Sequence, residues 1–403
     1  MADFYQSRLI TPLHRLGQPS LERLEAELEL YSMVSPIALV LPALYSDVQS
    51  EAMKGIVEEL KKAKFIKEIV LSLGPATDDE FKRVKEFLSV LPQEVSVIHN
   101  SGKRIEEIYR IFDKEGVSAG KDGKGRSAWL SYGYVLARGK CEVIALHDCD
   151  IKSYSREMLA RLCYPVVNPS LDFVFCKGYY ARVTNKLHGR VTRLFVTPLV
   201  RALERIIGNH PFLEFIDNFR YPLAGEVCMV TELARVNRIP WDWGLEVGVL
   251  AEVYRNYSPR RVCQVDIAEN YEHKHQPLSE EDPSTGLTKM SIDIAKSLFR
   301  TLASEGIVFS DGFFKTLVVT YQRLAEDTLA RYEGDAAING LEFDRHSEAR
   351  AVDAFTRGIT IAAETIRNDP LGAPLIPNWN RVISAIPGIL ERLKEAVEED
   401  NKL

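Results

Sequence analysis

The apolar run Cys141–Leu146 ends in His147-Asp148-Cys149-Asp150, the only Asp-x-Asp in this sequence. Two carboxylates just past a strand offer hard oxygen ligands. Such pairs hold Mg²⁺ or Mn²⁺ together with the oxygens of a substrate diphosphate. Acids at a strand end also start turns and cap helices, so the pattern alone does not choose. Four more stretches carry chemistry-bearing side chains. Gly120-Lys121-Asp122-Gly123-Lys124-Gly125-Arg126 has glycines that let backbone N–H groups approach an anion, with Lys124 to reach a diphosphate; it reads equally as a solvated loop. His188-Gly189-Arg190-Val191-Thr192 opens a helical stretch. There N–H groups, a guanidinium fork and a hydroxyl converge on a phosphate or carboxylate, or simply begin a helix. Trp241-Asp242-Trp243-Gly244-Leu245-Glu246-Val247-Gly248 sets Glu246 among apolar residues. A buried carboxylate needs a partner, either a sugar hydroxyl or a structural arginine. His273-Lys274-His275 places two imidazoles at i, i+2, so that one can reach a metal.

These residues need a frame. Residues 36–44, 68–73, 94–98, 141–147 and 171–177 are apolar runs of strand length, and 48–63, 78–91, 126–138 and 189–207 have helical period. Strands apolar throughout and separated by amphipathic helices predict a parallel sheet covered on both faces, with ligands outside the carboxyl ends of the strands. Residues 221–260 mix short strands and helices. Residues 1–35 carry one amphipathic stretch, with Leu21, Leu24, Leu28 and Tyr31 at helical spacing. The division expected is an N-terminal helical extension over 1–35, an α/β domain over 36–286 and a helical C-terminal region over 287–403. The stripe Phe314, Leu317, Val318, Tyr321 and Leu324 in that last region predicts a homodimer interface.

Composition narrows the classes. The 403 residues are 46% hydrophobic and 27% charged, which rules out a disordered or fibrous chain. A net charge of −6 argues against a nucleic-acid coat. The most apolar stretch, Val34–Tyr45, is short and broken by Pro36 and Pro42, so no membrane span is expected. Six scattered cysteines without a CxxC fit a reduced, cytoplasmic protein rather than a disulfide scaffold or a zinc knuckle. No Gly-x-Gly-x-x-Gly follows the first strand, and the glycine loop lacks P-loop spacing, which removes the nicotinamide and P-loop readings.

Taken in order, the motifs resemble the glucosyl-3-phosphoglycerate synthases, retaining glycosyltransferases of the GT-A fold that use a nucleotide sugar. The resemblance spans about residues 36–300. It rests on Pro42-Ala43-Leu44, Gly123-Lys124-Gly125, Asp148-x-Asp150, Lys177-Gly178-Tyr179-Tyr180 and Gly189-Arg190-Val191-Thr192. It continues through Pro222-Leu223-x-Gly225-Glu226, Gly244-x-Glu246-x-Gly248 and a histidine before Pro277-Leu278. It implies a Rossmann-like, mostly parallel sheet flanked by helices. It also implies Pro42, Ala43, Leu44 and Ser72 at the nucleoside and Lys124 at the donor. Asp150 and His273 would sit on Mg²⁺ or Mn²⁺, with Asp148 near the ribose or the metal. Gly189, Arg190 and Thr192 would hold 3-phosphoglycerate, and Glu246 the sugar hydroxyls. Lys124, Asp150 and Glu246 are the residues so implied in catalysis. The donor would be the UDP, ADP or GDP form of glucose, and the product glucosyl-3-phosphoglycerate, a precursor in a glucosylglycerate osmolyte pathway. Two departures stand out: Tyr45-Ser46 where the family has Asn-Glu, and His275 where the acceptor site has Asn.

No carboxylate stands out as a nucleophile, which favours attack on the face the diphosphate leaves, with the departing phosphate taking the acceptor proton. Three other readings compete. One is a related transferase using a mannosyl donor or free glycerate. Another is a polyprenyl-phosphate glycosyltransferase, against which the lack of a basic amphipathic segment counts. The third is a catalytically silent nucleotide-sugar-binding protein.

Overall fold

The computed structural model describes residues 6, 9–17, 20–273, 277–279, 281–372 and 375–402. Among these residues the centre is a sheet of eight strands: β1 (Thr11–Leu13), β2 (Ile37–Ala43), β3 (Ile66–Leu73), β4 (Glu94–His99), β5 (Val143–Leu146), β6 (Phe175–Tyr180), β7 (Val227–Val230) and β8 (Val262–Ala268). Their order is β1-β8-β6-β7-β5-β2-β3-β4. β7 runs antiparallel to β5 and β6, and the other pairings are parallel. The apolar runs explain the centre. Ile37, Ala38, Leu39, Val40 and Leu41 are all fully buried, because successive side chains alternate into two cores, one on each face of the sheet.

Two strands escape the sequence pattern. β1 joins the sheet parallel to β8 from a segment expected to be only helical, although the helix Leu21–Ser32 does form behind a Ser20 cap. β8 carries Gln264 and Asp266, which interrupt its apolar run. Gln264 is nonetheless buried, because its Oε1 accepts from Arg220 N at 2.8 Å and its Nε2 donates to Asn218 O at 2.8 Å.

The C-terminal region is helical, as expected. Helices Gly286–Ser304, Asp311–Ile338, Arg345–Asn368, Trp379–Ala385 and Ile389–Lys402 do not form an appendage. They share one core with the sheet. Phe314, Leu317 and Tyr321, expected at a dimer interface, are buried within this chain, and the Tyr321 hydroxyl donates to Leu194 O at 2.7 Å. Val318 and Leu324 pack against the same core. The stripe is therefore spent inside the protomer. No helix among the described residues is long and apolar enough to cross a membrane.

Candidate active site

β5 is buried along its length and ends at Leu146. The chain then bends at Cys149, while burial alternates from residue to residue. His147, Cys149 and Ile151 turn inward, while Asp148 and Asp150 are partly exposed past the carboxyl edge of the sheet. The buried His147 anchors the segment, with Nδ1 2.9 Å from Asp148 O and Nε2 3.1 Å from the Tyr154 hydroxyl. This alternation is why the two carboxylates are spaced i, i+2.

Lys124 opens the helix Lys124–Arg138, and its Nζ lies 2.5 Å from Asp148 Oδ1 and 3.2 Å from Glu246 Oε1. Burial disfavours the ammonium, but the two carboxylates outweigh that and hold its pKa above the ordinary lysine value. The same contact holds the Asp148 carboxyl below its ordinary value, against the desolvation that would raise it. Glu246 stands in the first turn of the helix Leu245–Asn256. Gly225 makes room for the cluster: a Cβ there would lie 2.7 Å from Lys124 Nζ and 2.9 Å from Asp148 Oδ2.

Beneath this cluster, Tyr180 and Tyr271 stack at 3.8 Å and both donate their hydroxyls to the buried Glu226. Lys177 is also buried and donates to Ala224 O at 2.6 Å, which fixes the turn that carries Gly225. Burial lowers its pKa to about 8.

A cavity of about 420 Å³ extends from Lys124, Asp148 and Glu246 past Trp243 and His273 to Gly189, Arg190 and Thr192. Its far wall comes from Arg182, Tyr221 and the residues 342–348 at the start of the helix Arg345–Asn368. The Gly189–Thr192 segment leads through a π-helical turn, Thr192–Val196, into the helix Thr197–Ile207. Gly189 takes φ +72°, which a side chain would resist. Arg190 does not reach openly into the cavity. Its Nε and Nη2 meet Glu348 Oε1 at 2.9 and 2.8 Å.

No family model matches the chain. Individual proteins do. The glucosyl-3-phosphoglycerate synthase of Persephonella marina is 51% identical over 401 residues, covering 100% of this chain and 99% of that one. That of Methanococcoides burtonii is 38% identical over 405 residues, covering 99% and 98%. The chain belongs to the glucosyl-3-phosphoglycerate synthase family. It is thus a glycosyltransferase. The fold agrees. The Mycobacterium tuberculosis family member in complex with Mg²⁺ and UDP superposes with a TM-score of 0.55 at 22% identity, over 75% of this chain and 89% of that one. The same enzyme with Mn²⁺, UDP-glucose and phosphoglyceric acid gives 0.55 at 23% identity, over 75% and 89%.

Within this family frame, the site residues read from the sequence are not all in one place, and Asp150 is not among the residues lining the cavity. The cavity brings together Lys124, Asp148, Glu246, His273, Gly189, Arg190 and Thr192. Pro42, Ala43 and Leu44 stand apart from it at the end of β2, where Leu44 is half exposed. Ser72 is fully buried, and its hydroxyl accepts from Asn100 Nδ2 at 2.8 Å. His275 lies outside the described residues.

The glycine loop packs closely on a neighbouring segment. A Cβ on Gly120 would lie 2.1 Å from Trp241 Cδ1, and one on Gly125 would lie 2.0 Å from Pro240 O. These glycines let the loop press against residues 240–241, which aligns Lys124 with Glu246. Tyr180, Arg182, Tyr221 and Tyr271 line the cavity and received no site role from the sequence. Glu348 was missed because it lies 158 residues beyond Arg190.

The metal question turns on Asp150. Its Oδ1 is buried without a hydrogen-bond partner, and its Oδ2 lies 3.5 Å from His273 Nδ1. Among the described residues no group of three or more His, Cys, Asp or Glu side chains is placed to hold a metal ion. Two protein ligands suit Mg²⁺ or Mn²⁺, which dehydrate reluctantly and fill their shells with water and substrate phosphate. An orphan carboxylate oxygen beside an imidazole fits such an ion.

Proposed function

We propose that this chain transfers glucose from a nucleoside-diphosphate glucose to the hydroxyl of 3-phosphoglycerate, with retention at the sugar carbon and with the help of a divalent metal. UDP-glucose is the first donor to test, ahead of the ADP and GDP forms, because a solved family member holds it beside phosphoglyceric acid and Mn²⁺. One observation carries the reading: a single cavity joins the Lys124–Asp148–Glu246 cluster to the Gly189–Thr192 segment. A donor and an anionic acceptor can meet there.

In this reading Asp150 and His273 would hold Mg²⁺ or Mn²⁺, which when bound neutralises charge on the departing diphosphate. Lys124, kept protonated by Asp148 and Glu246, adds a positive charge at the same end. Glu246 also presents oxygens to sugar hydroxyls. Neither Glu246 nor Asp148 serves as a nucleophile, since Lys124 engages both. The acceptor oxygen therefore attacks on the face the diphosphate leaves. The bond from the sugar carbon to the diphosphate breaks, the bond to the acceptor oxygen forms, and the acceptor proton passes to the diphosphate oxygen. The protein contributes position and charge. We place this chemistry in the cytoplasm, in keeping with six cysteines that are all free thiols. We assign the residues that touch donor and acceptor to 36–286, with the C-terminal helices walling one end of the cavity.

The test is a matrix of nucleotide sugars against 3-phosphoglycerate, glycerate and water, with products read by mass spectrometry and anomeric configuration by NMR. Glucosyl-3-phosphoglycerate with the donor's configuration is expected, together with loss of turnover in excess EDTA. Asp150→Ala should lower kcat by at least ~10²-fold. Full activity in EDTA would overturn the metal assignment. Preference for a mannosyl donor or for glycerate would move the chain to a neighbouring specificity.

A further inference from the structure

We propose that Glu348, from the C-terminal helical region, positions Arg190 to read the acceptor's phosphate, so that this region is part of the acceptor site. The proposal rests on the acceptor reading above. Glu348 is only 6% exposed and stands in the first turn of the helix Arg345–Asn368. Its Oε1 takes both Nε and Nη2 of Arg190, and Ser347 Oγ lies 3.3 Å from the same Nη2. One edge of the guanidinium is thereby committed, and the Nη1 edge is left for a ligand. Glu348 Oε2 lies 3.0 Å from Nη2 of Arg193. Arg193 is itself immobile: it is buried, donates from Nε to His188 O at 2.8 Å, and stacks 4.8 Å from the Tyr332 ring centroid.

One buried carboxylate thus ties the arginine that lines the cavity to an arginine that cannot move. A guanidinium held through Nε and Nη2 offers the N–H groups of Nη1 in a fixed plane, and a charge-assisted bond to a phosphate oxygen needs that fixed direction. Thr192 supports this geometry, since its Oγ1 is buried without a hydrogen-bond partner and the residue lines the same cavity. At this end of the cavity Arg182, Lys186, Arg190 and Arg193 stand against Glu342, Asp344 and Glu348, which leaves about one net positive charge. An anion is the fitting ligand.

The alternative is that Glu348 competes with the phosphate for Arg190, and the two roles have opposite signs. The test uses full-length wild type, Glu348→Gln and Glu348→Asp at saturating UDP-glucose, with 3-phosphoglycerate and glycerate varied in turn. Glu348→Gln should raise the KM for 3-phosphoglycerate roughly 10-fold, the scale of losing one charge-assisted contact. It should leave kcat, the KM for UDP-glucose and the KM for glycerate within about twofold of wild type, an effect well below that scale. Glu348→Asp should restore part of the loss. A general structural defect would move all four constants, and a competing role would lower the KM for 3-phosphoglycerate; either result, or no change, overturns the proposal. If wild type does not turn over 3-phosphoglycerate at all, the acceptor reading fails by itself. Calorimetric titration with inorganic phosphate then decides the role of Glu348: weaker binding in Glu348→Gln sustains the positioned arginine, and equal or tighter binding removes it.

Discussion

Lys124 joins Asp148 and Glu246, and Asp242 stands in the turn just before the helix that carries Glu246. Its Oδ1 accepts from Gly244 N at 2.9 Å, the residue that precedes that helix. Asp242 is nearly buried, beside Asp293. Burial first, and then the Asp293 charge, push its carboxyl up from 3.8 to about 6. A folded-state pKa above the unfolded one contributes stability that is complete below about 3.8 and is lost as pH rises through about 6. Near neutral pH the ionised Asp242 therefore destabilises the fold. Lys296 offsets this only in part, because its Nζ lies 2.8 Å from Asp293 but 3.6 Å from Asp242. Asp242→Asn keeps the acceptor for Gly244 and removes the charge. It should stabilise the protein by on the order of 1–2 kcal/mol at pH 7.5, with the gain shrinking between pH 6 and pH 4. Denaturant unfolding of both proteins across this range is the measurement, and a gain that does not vary with pH would sink the argument.

At the scale of elements, what the sequence disclosed followed from burial. β2 and β3 read as strands because both of their faces meet helices, so nearly every side chain is apolar. β1 was illegible because three residues, Thr11-Pro12-Leu13, carry no period, and its place depends on β8, some 250 residues later. The Asp-x-Asp was legible because a buried strand fixes which side its next residues face. The Glu348 contact was not, because nothing local to the helix Arg345–Asn368 records what its first turn meets. The glycines of 120–125 pack on Trp241 and Pro240, a contact the sequence did not show, because a close approach of protein leaves the same mark as a close approach of an anion. Gly133 shows the same logic inside the helix Lys124–Arg138. Trp379 stacks on Trp129 at 4.3 Å, and a Cβ on Gly133 would lie 1.9 Å from the Trp379 ring. In an exposed helix, Gly→Ala stabilises by about 1 kcal/mol. Here the ring has no space to yield, since Trp379 is fully buried and its Nε1 donates to Trp129 O at 3.0 Å. Gly133→Ala should therefore destabilise, by about 1–3 kcal/mol. It should also shift the tryptophan fluorescence of the folded state. A stabilising Gly133→Ala would show that the stack is loose.

Over the whole molecule, the C-terminal helices do for the sheet what closure does for a barrel. β4 ends the strand order, and an open edge invites pairing with another chain. The final helix, Ile389–Lys402, lies along it. Asn401 completes the ladder with its side chain: Oδ1 accepts from Val97 N at 3.0 Å, and Nδ2 donates to Val97 O at 2.8 Å. Arg104 pairs with Asp400 at 2.5 Å beside it. Ile389, Leu393 and Val397 are buried in the same core that contains Trp129, Trp379 and Tyr321. Edge protection, the tryptophan stack and the Glu348 wall thus belong to one packed body, and loss of one end should be felt at the other. Asn401→Ala leaves a donor and an acceptor of the nearly buried Val97 without protein partners. It should cost about 1–3 kcal/mol, toward the lower end where water fills the gap. Deleting residues 389–402 removes the apolar cover as well and should yield a chain that self-associates through β4. Denaturant unfolding followed by tryptophan fluorescence and by far-UV circular dichroism should give one coincident transition in wild type, shifted to lower denaturant in Asn401→Ala. Light scattering should report oligomers of the deleted chain at micromolar concentration. A deleted chain that remains monomeric with an unchanged transition would show that β4 protects its own edge and that the last helix is dispensable.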